Sequence, residues 1–374
     1  MEQEYYKQKD MENEKKIREL LKELPKFCSS FFMGIESTKQ SRTRLAYAYD
    51  LKTYFTFLME NNPTCKNLSM HDIPISIIEQ QTAEDIQEYI SWSRMYEKDN
   101  KEVINSESGL KRKLSTLRSM YKYFYQHGKI DSNPASLVDT PRIHEKAIIR
   151  LDVDEVARLL DEVESGDKLT KNQKRYHNKT QPRDLAIMTL LLGTGMRVSE
   201  CVGIDIKDLD FENNGVKIHR KGGNEAVVYF GDEVRTVLLD YLEIREQMEP
   251  LPGHEEAFFL SLQNKRMGVR SIELLVKKYS QTVTTLKKIT PHKLRSTYGT
   301  ALYQETGDIY LVADVLGHKD VNTTRRHYAA MQENRRRSAA GKVVLRESVT
   351  IQTETKETNT QNSESKENSD SSSK

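Results

Sequence analysis

Tryptophan occurs once, cysteine three times and proline nine times in 374 residues. The cysteines, Cys28, Cys65 and Cys201, lie far apart, and the chain contains no CxxC pair. That spacing argues against a disulfide framework and against a zinc finger. It fits a protein of the reducing cytoplasm. The longest apolar stretch, around Leu185–Leu192, falls far short of the ~20 residues that a membrane span needs. The N-terminal MEQEYYKQKDMENEKK has no apolar core of a signal peptide. His292, His318 and His327 have no cysteine or paired acid at metal spacing, so no metal or other cofactor is expected.

Net charge is also small, at +2, but it is unevenly spread. Residues 347–374 hold six acids and three bases, and residues 1–24 hold seven acids and six bases. The segment between them carries +6, from 49 bases against 43 acids. A nucleic-acid binder with so modest an excess must concentrate its cations on one face. Hydrophobic content of 36% beside 30% charge is enough for a core once the polar ends are set aside. The length predicts two domains.

Helical spacing is clear in the first third. Leu45, Tyr49, Leu51, Tyr54, Phe55 and Leu58 repeat at helical intervals, and Pro63 ends that pattern. A second helix is expected over 83–96. The third is the plainest. Leu110, Leu114, Leu117, Tyr121 and Phe124 share one face, with Gly128 as a stop. Lys111, Arg112, Lys113, Arg118 and Lys122 fall at the other positions and give one cationic surface, which becomes a DNA-gripping face only if the rest of the chain acts on phosphodiesters. For this helix alone the bland reading, an ordinary amphipathic helix, is favoured.

Residues 134–150 hold two prolines and little periodicity, and read as a linker. Residues 165–182 read as a loop, with Pro182 opening the next helix. Leu209–Phe211, Val216–Ile218 and Ala226–Phe230 read as three short strands, with Asn213-Asn214-Gly215 and Gly222-Gly223 as turns. Residues 346–374 are almost free of apolar side chains and are expected to be disordered.

Four short segments carry the chemistry: GTGMRVSE (193–200), IHRKGGNE (218–225), TPHKLRST (290–297) and VLGHKDVNTTRRHY (315–328). They supply Arg197, Lys221, His292, Arg295, His318 and Tyr328. Two guanidiniums can fork the oxygens of one phosphate. A lysine at a two-glycine turn can protonate a leaving oxygen. A tyrosine, with a pKa near ~10, needs a base or a cationic field before it can attack at neutral pH. Glu200, three residues after Arg197, could share its helix face and fix the fork. Each residue alone has a bland reading. Arginine and turn lysine are common on surfaces, histidine at helix ends, and Tyr328 is one tyrosine of eighteen.

The order Arg, Lys, His-x-x-Arg, Leu-Gly-His, Tyr, over about 130 residues, resembles the signature of the tyrosine recombinases, or phage-integrase family. The segment DIPISIIEQQTAEDIQEYISW (72–92) is similar to bacterial Xer recombinases of the XerS type. The departures are Ser296 and Ala330, where family members often carry histidine.

The resemblance implies a mainly α fold with a small antiparallel sheet (α+β), arranged as a two-domain clamp. It has a charged N-terminal segment (1–24), a helical, SAM-like core-binding domain (25–133), a linker (134–150), a catalytic domain (151–345) and a tail (346–374). It implies a cofactor-independent DNA strand-transferase acting through a 3′-phosphotyrosyl link, with Tyr328 as nucleophile. Arg197, Arg295 and His318 would hold the phosphate, His292 would take the tyrosine proton, and Lys221 would protonate the leaving oxygen. Implied partners are duplex DNA, a homotetramer on two sites, and a cell-division DNA translocase. Chromosome dimer resolution is the expected role. The alternatives are a mobile-element integrase, a type IB topoisomerase and a non-catalytic DNA-binding protein.

Overall fold

A computed structural model describes residues 4–142, 149–220, 224–318 and Val321. Two hydrophobic cores organise them, one within residues 17–138 and one within residues 151–294.

The first core is helical. It contains α1 (Glu4–Glu23), α2 (Cys28–Gly34), α3 (Ser41–Asn61), the short α4 (Ser76–Glu79), α5 (Ala83–Trp92) and α6 (Glu107–Gln126). The expected stripe on α6 is observed: Leu110, Leu114, Leu117, Tyr121 and Phe124 are buried, against Leu51, Tyr54, Phe55 and Leu58 of α3. The buried phenols of Tyr54 and Tyr121 satisfy each other at 3.0 Å. Gly128 follows the helix in the left-handed region, at φ +59°.

Three features of this half differ from the sequence reading. The helix expected over 83–96 ends at Trp92, and β1 (Met95–Lys98) pairs antiparallel with β2 (Lys101–Ile104). The two-residue turn is Asp99-Asn100, both at positive φ, the geometry of a type I′ hairpin. Residues 1–24 are no bare charged segment, since α1 buries Ile17 and Leu20 and leads into buried Leu24. The linker begins with an ordered 3₁₀ turn, Pro134–Ser136, with Ala135 and Val138 buried; its residues 143–148 lie outside the described ones.

The cationic surface of α6 also needs correction. Lys113 is 3% exposed and sits 3.5 Å from the buried carboxylate of Asp50. Asp50 also accepts from Thr116 Oγ1 at 2.9 Å and from Arg112. Arg118 donates to Ala135 O at 3.1 Å, to Thr140 Oγ1 at 2.9 Å and to Val138 O, fastening the linker to the helix. Only Lys111 and Lys122 of the five are exposed without an internal role of this kind. With the carboxylate gone, Lys113 would be left as a buried, uncompensated cation. Asp50→Ala is therefore expected to cost about 3 kcal/mol of stability, read as a lowered midpoint in a urea melt.

The second core is mixed. It starts with α7 (Val153–Ser165) and α8 (Lys171–Thr194), followed by the short α9 (Val198–Gly203). A three-stranded antiparallel sheet follows, β3 (Leu209–Asp210), β4 (Gly215–His219) and β5 (Glu225–Tyr229), in the order β3-β4-β5. The register Val216↔Val228 and Ile218↔Ala226 turns Val216, Ile218 and Val228 into the core and leaves Val227 and Tyr229 outside, the period-two alternation of a half-buried sheet. Helices α10 (Asp232–Glu246), α11 (Val269–Val283), α12 (Pro291–Thr306) and α13 (Ile309–Val315) complete it.

Pro182 does not open a helix. It lies inside α8, which starts eleven residues earlier behind the capping box of Thr170 and Gln173. The capping pair outweighs the first-turn preference of proline because the following residues bury their whole inward face. Ala186, Ile187, Met188, Leu190 and Leu191 are all at 1% exposure or less.

Candidate active site

Everything converges on the end of α13. This helix closes in a Schellman turn, in which His318 N–H donates to Ala313 O at 2.8 Å and Gly317 N–H donates to Asp314 O at 2.8 Å. Gly317 takes φ +60°, where a side chain is strained, and an added methyl would lie 2.4 Å from the Arg220 guanidinium. A helix end leaves its last carbonyls without intrahelical donors. Here three arginines from three other segments supply them. Arg220 donates to Val315 O at 3.2 Å, Arg295 to Leu316 O, and Arg197 to Gly317 O at 3.2 Å. The negative end of the helix dipole adds to this attraction. The next residue along the chain is His318.

Each arginine is delivered differently. Arg197 stands at the N-cap of α9, in extended backbone, just after the left-handed Gly195 that ends α8. Gly195 is required there. Its φ is +62°, and a methyl would sit 2.4 Å from the Tyr298 ring. Glu200, 4% exposed, accepts both from the Arg197 guanidinium at 2.7 Å and from its backbone N–H at 2.7 Å. The contact that the Arg197–Glu200 spacing allows is therefore present. Arg295 lies on α12 and is 6% exposed; it also donates to Gly195 O at 2.7 Å. Proline at the first position of α12 presets the helix. His292 is exposed one turn before Arg295, at the i, i+3 spacing that puts two side chains on one face. Arg220 follows β4, where its N–H closes the hairpin onto Asn224 O at 2.8 Å.

The structure thus brings Arg197, Arg295 and the turn bearing His318 together from segments 120 residues apart. Lys221 and Tyr328 lie outside the described residues. Arg220, the neighbour of Lys221 in the chain, has its guanidinium in the cluster. Among the described residues no group of His, Cys, Asp or Glu could hold a metal ion, and no helix is long and apolar enough to cross a membrane. Chemically, the cluster is a set of oriented N–H donors on a preformed frame, suited to holding an anion whose charge grows during reaction.

Comparison with known proteins settles the family. A model described as the phage integrase family matches residues 150–335, and one described as the phage integrase N-terminal SAM-like domain matches residues 29–128. The chain belongs to the tyrosine recombinases of the phage integrase family. Proteins of this family cleave DNA and transfer its strands.

The recombinase is similar to tyrosine recombinase XerS of Streptococcus uberis, at 31% identity over 335 residues, which is 83% of this chain and 93% of the relative. It is also similar to tyrosine recombinase XerC of Thermodesulfovibrio yellowstonii, at 34% over 223 residues, 59% of this chain and 70% of that one. Among solved structures, XerH site-specific recombinase bound to a palindromic difH substrate after cleavage superimposes with a TM-score of 0.60 at 17% identity, over 80% of each chain. A lambda integrase tetramer bound to a Holliday junction gives 0.56 at 16%, over 81% of this chain and 77% of that one. At these identities the superpositions speak for the fold.

Glu200 gives this site a specific test. Glu200→Gln keeps the shape but removes the charge that orients Arg197. The expected result is a roughly tenfold slower single-turnover DNA cleavage, the size of effect that misplacing a reacting group produces, with unchanged DNA affinity.

Proposed function

We propose that this chain is a site-specific recombinase that cuts DNA through a 3′-phosphotyrosyl link at Tyr328 and rejoins it to a partner duplex. The observation that carries the reading is the convergence of Arg197 and Arg295 beside His318. The guanidiniums hold the nonbridging oxygens of one phosphodiester. His318 adds a hydrogen bond that strengthens as charge builds in the transition state. The Tyr328 phenol attacks phosphorus while His292 takes its proton, forming a phosphotyrosyl ester and releasing a 5′-oxygen. Lys221, which follows Arg220 in the chain, protonates that oxygen. The ester keeps the energy of the broken bond, so a 5′-hydroxyl from a second duplex can reverse the step.

Binding rests chiefly on phosphate contacts and weakens steeply with salt. The two domains close around the duplex, with 134–150 as hinge and the exposed Lys111 and Lys122 among the contacts of the first. Four protomers work on two sites, and the segment around 335–345, with Val343, Val344 and Leu345, docks onto a neighbour. The likeness to XerS over 93% of that relative favours chromosome dimer resolution over insertion of a mobile element. A DNA translocase of the division machinery is the partner this role calls for.

A duplex carrying a nick next to the cleavage site tests the reading, because the released fragment diffuses away and traps the covalent intermediate. A protein–DNA band that survives denaturation is expected. Tight binding with no such band would leave only a DNA-binding protein, and site-independent relaxation of one plasmid would mark a topoisomerase.

A further inference from the structure

Helix α1 touches both cores. From Asp10 onward it belongs to the first, through Ile17 and Leu20, and is tied to α3 by Ser41 to Asp10, Arg44 to Glu14 and Lys52 to Glu23. Its first turn belongs to the second. Tyr5 packs against the apolar core of the catalytic domain, and the Arg266 guanidinium lies 5.0 Å from the centre of its ring. Arg266 in turn donates to the carbonyls of Val202 and Ile204, both at 3.0 Å.

Tyr6 reaches further into the site. Its hydroxyl donates to Ser199 O at 3.1 Å, its ring centre is 5.7 Å from that of His219, and a methyl at Gly203 would lie 2.3 Å from its oxygen. Ser199 and Gly203 belong to α9, whose N-cap is Arg197 and whose third residue is Glu200. His219 ends β4, one residue before Arg220 and two before Lys221. Burial, followed by the neighbouring Tyr5 and the Glu200 carboxylate, raises the pKa of this phenol, so it stays protonated and donates. A helix of six residues has few internal hydrogen bonds to hold it. External partners therefore set where it lies.

We propose that Tyr6 is a positioning residue, through which the N-terminal domain fixes α9 and the end of β4 and so sets Arg197 and Arg220 for strand cleavage. The proposal rests on the recombinase reading. It is tested on the full chain with the nicked duplex at saturating protein, with affinity measured separately. Tyr6→Ala is expected to lower the single-turnover cleavage rate at least about tenfold and to change Kd by less than about twofold, since no phosphate contact is removed. Tyr6→Phe keeps the ring against Gly203 and His219 and loses only the bond to Ser199, so its rate is expected to fall only about threefold.

A Tyr6→Ala protein that cleaves at the wild-type rate, or whose defect lies in Kd alone, overturns the proposal. If thermal melting shows Tyr6→Ala to be unfolded, Tyr6→Phe decides, and a wild-type rate in that variant overturns it. Failure of the wild-type protein itself to form an adduct would instead remove the recombinase reading beneath it.

Discussion

Arg295→Ala is expected to lose both stability and cleavage. Its guanidinium is buried and donates to Gly195 O and Leu316 O, which end two different helices. Truncation leaves both carbonyls without a side-chain donor among the described residues, at about 1–3 kcal/mol each. A urea midpoint lowered accordingly is the first readout. The second is the cleavage rate per folded molecule, expected to fall by on the order of 10³-fold, the scale of losing one preorganised donor to a developing oxyanion. Arg295→Lys separates the two effects. An ammonium can serve one carbonyl but cannot fork, so stability should recover in part while cleavage stays about a hundredfold down. Cleavage by Arg295→Ala at the wild-type rate would remove this residue from the phosphate clamp.

Tyr328→Phe should give the larger catalytic loss with no loss of binding. Only one oxygen is removed, so phosphate contacts and their salt dependence persist. Without a nucleophile the covalent route is closed, and adduct formation should fall by on the order of 10⁴-fold or more. Retention of adduct in this variant would assign the chemistry to another of the eighteen tyrosines.

Periodic, locally encoded features were legible in the chain. The face of α6, the three strands of the sheet and the Arg197–Glu200 spacing all follow from residues a few positions apart, and the structure has them where the spacing put them. The four signature segments were legible for a different reason, since their order matches a family. What failed was long-range. Lys113 stands between exposed Lys111 and Arg112 and the buried Leu114, and nothing near it in sequence announces that Asp50 lies against it. Arg220 and Lys221 are indistinguishable by composition; only the carbonyl of Val315, 95 residues on, gives Arg220 its role. Tyr5 and Tyr6 carry no local signal, because their partners Arg266 and Ser199 lie far along the chain. Two misses were local and avoidable. Thr170 and Gln173 already spelled a capping box, and Asp99-Asn100 already spelled a hairpin turn.

The most direct test of the central claim is to trap the nicked duplex, digest the complex with trypsin and locate the residual nucleotide mass. The account predicts that it sits on the tyrosine of peptide 327–335, joined to a 3′-phosphate, with a free 5′-hydroxyl on the released strand. A nucleotide on any other peptide, or a 5′-phosphate link, would contradict it.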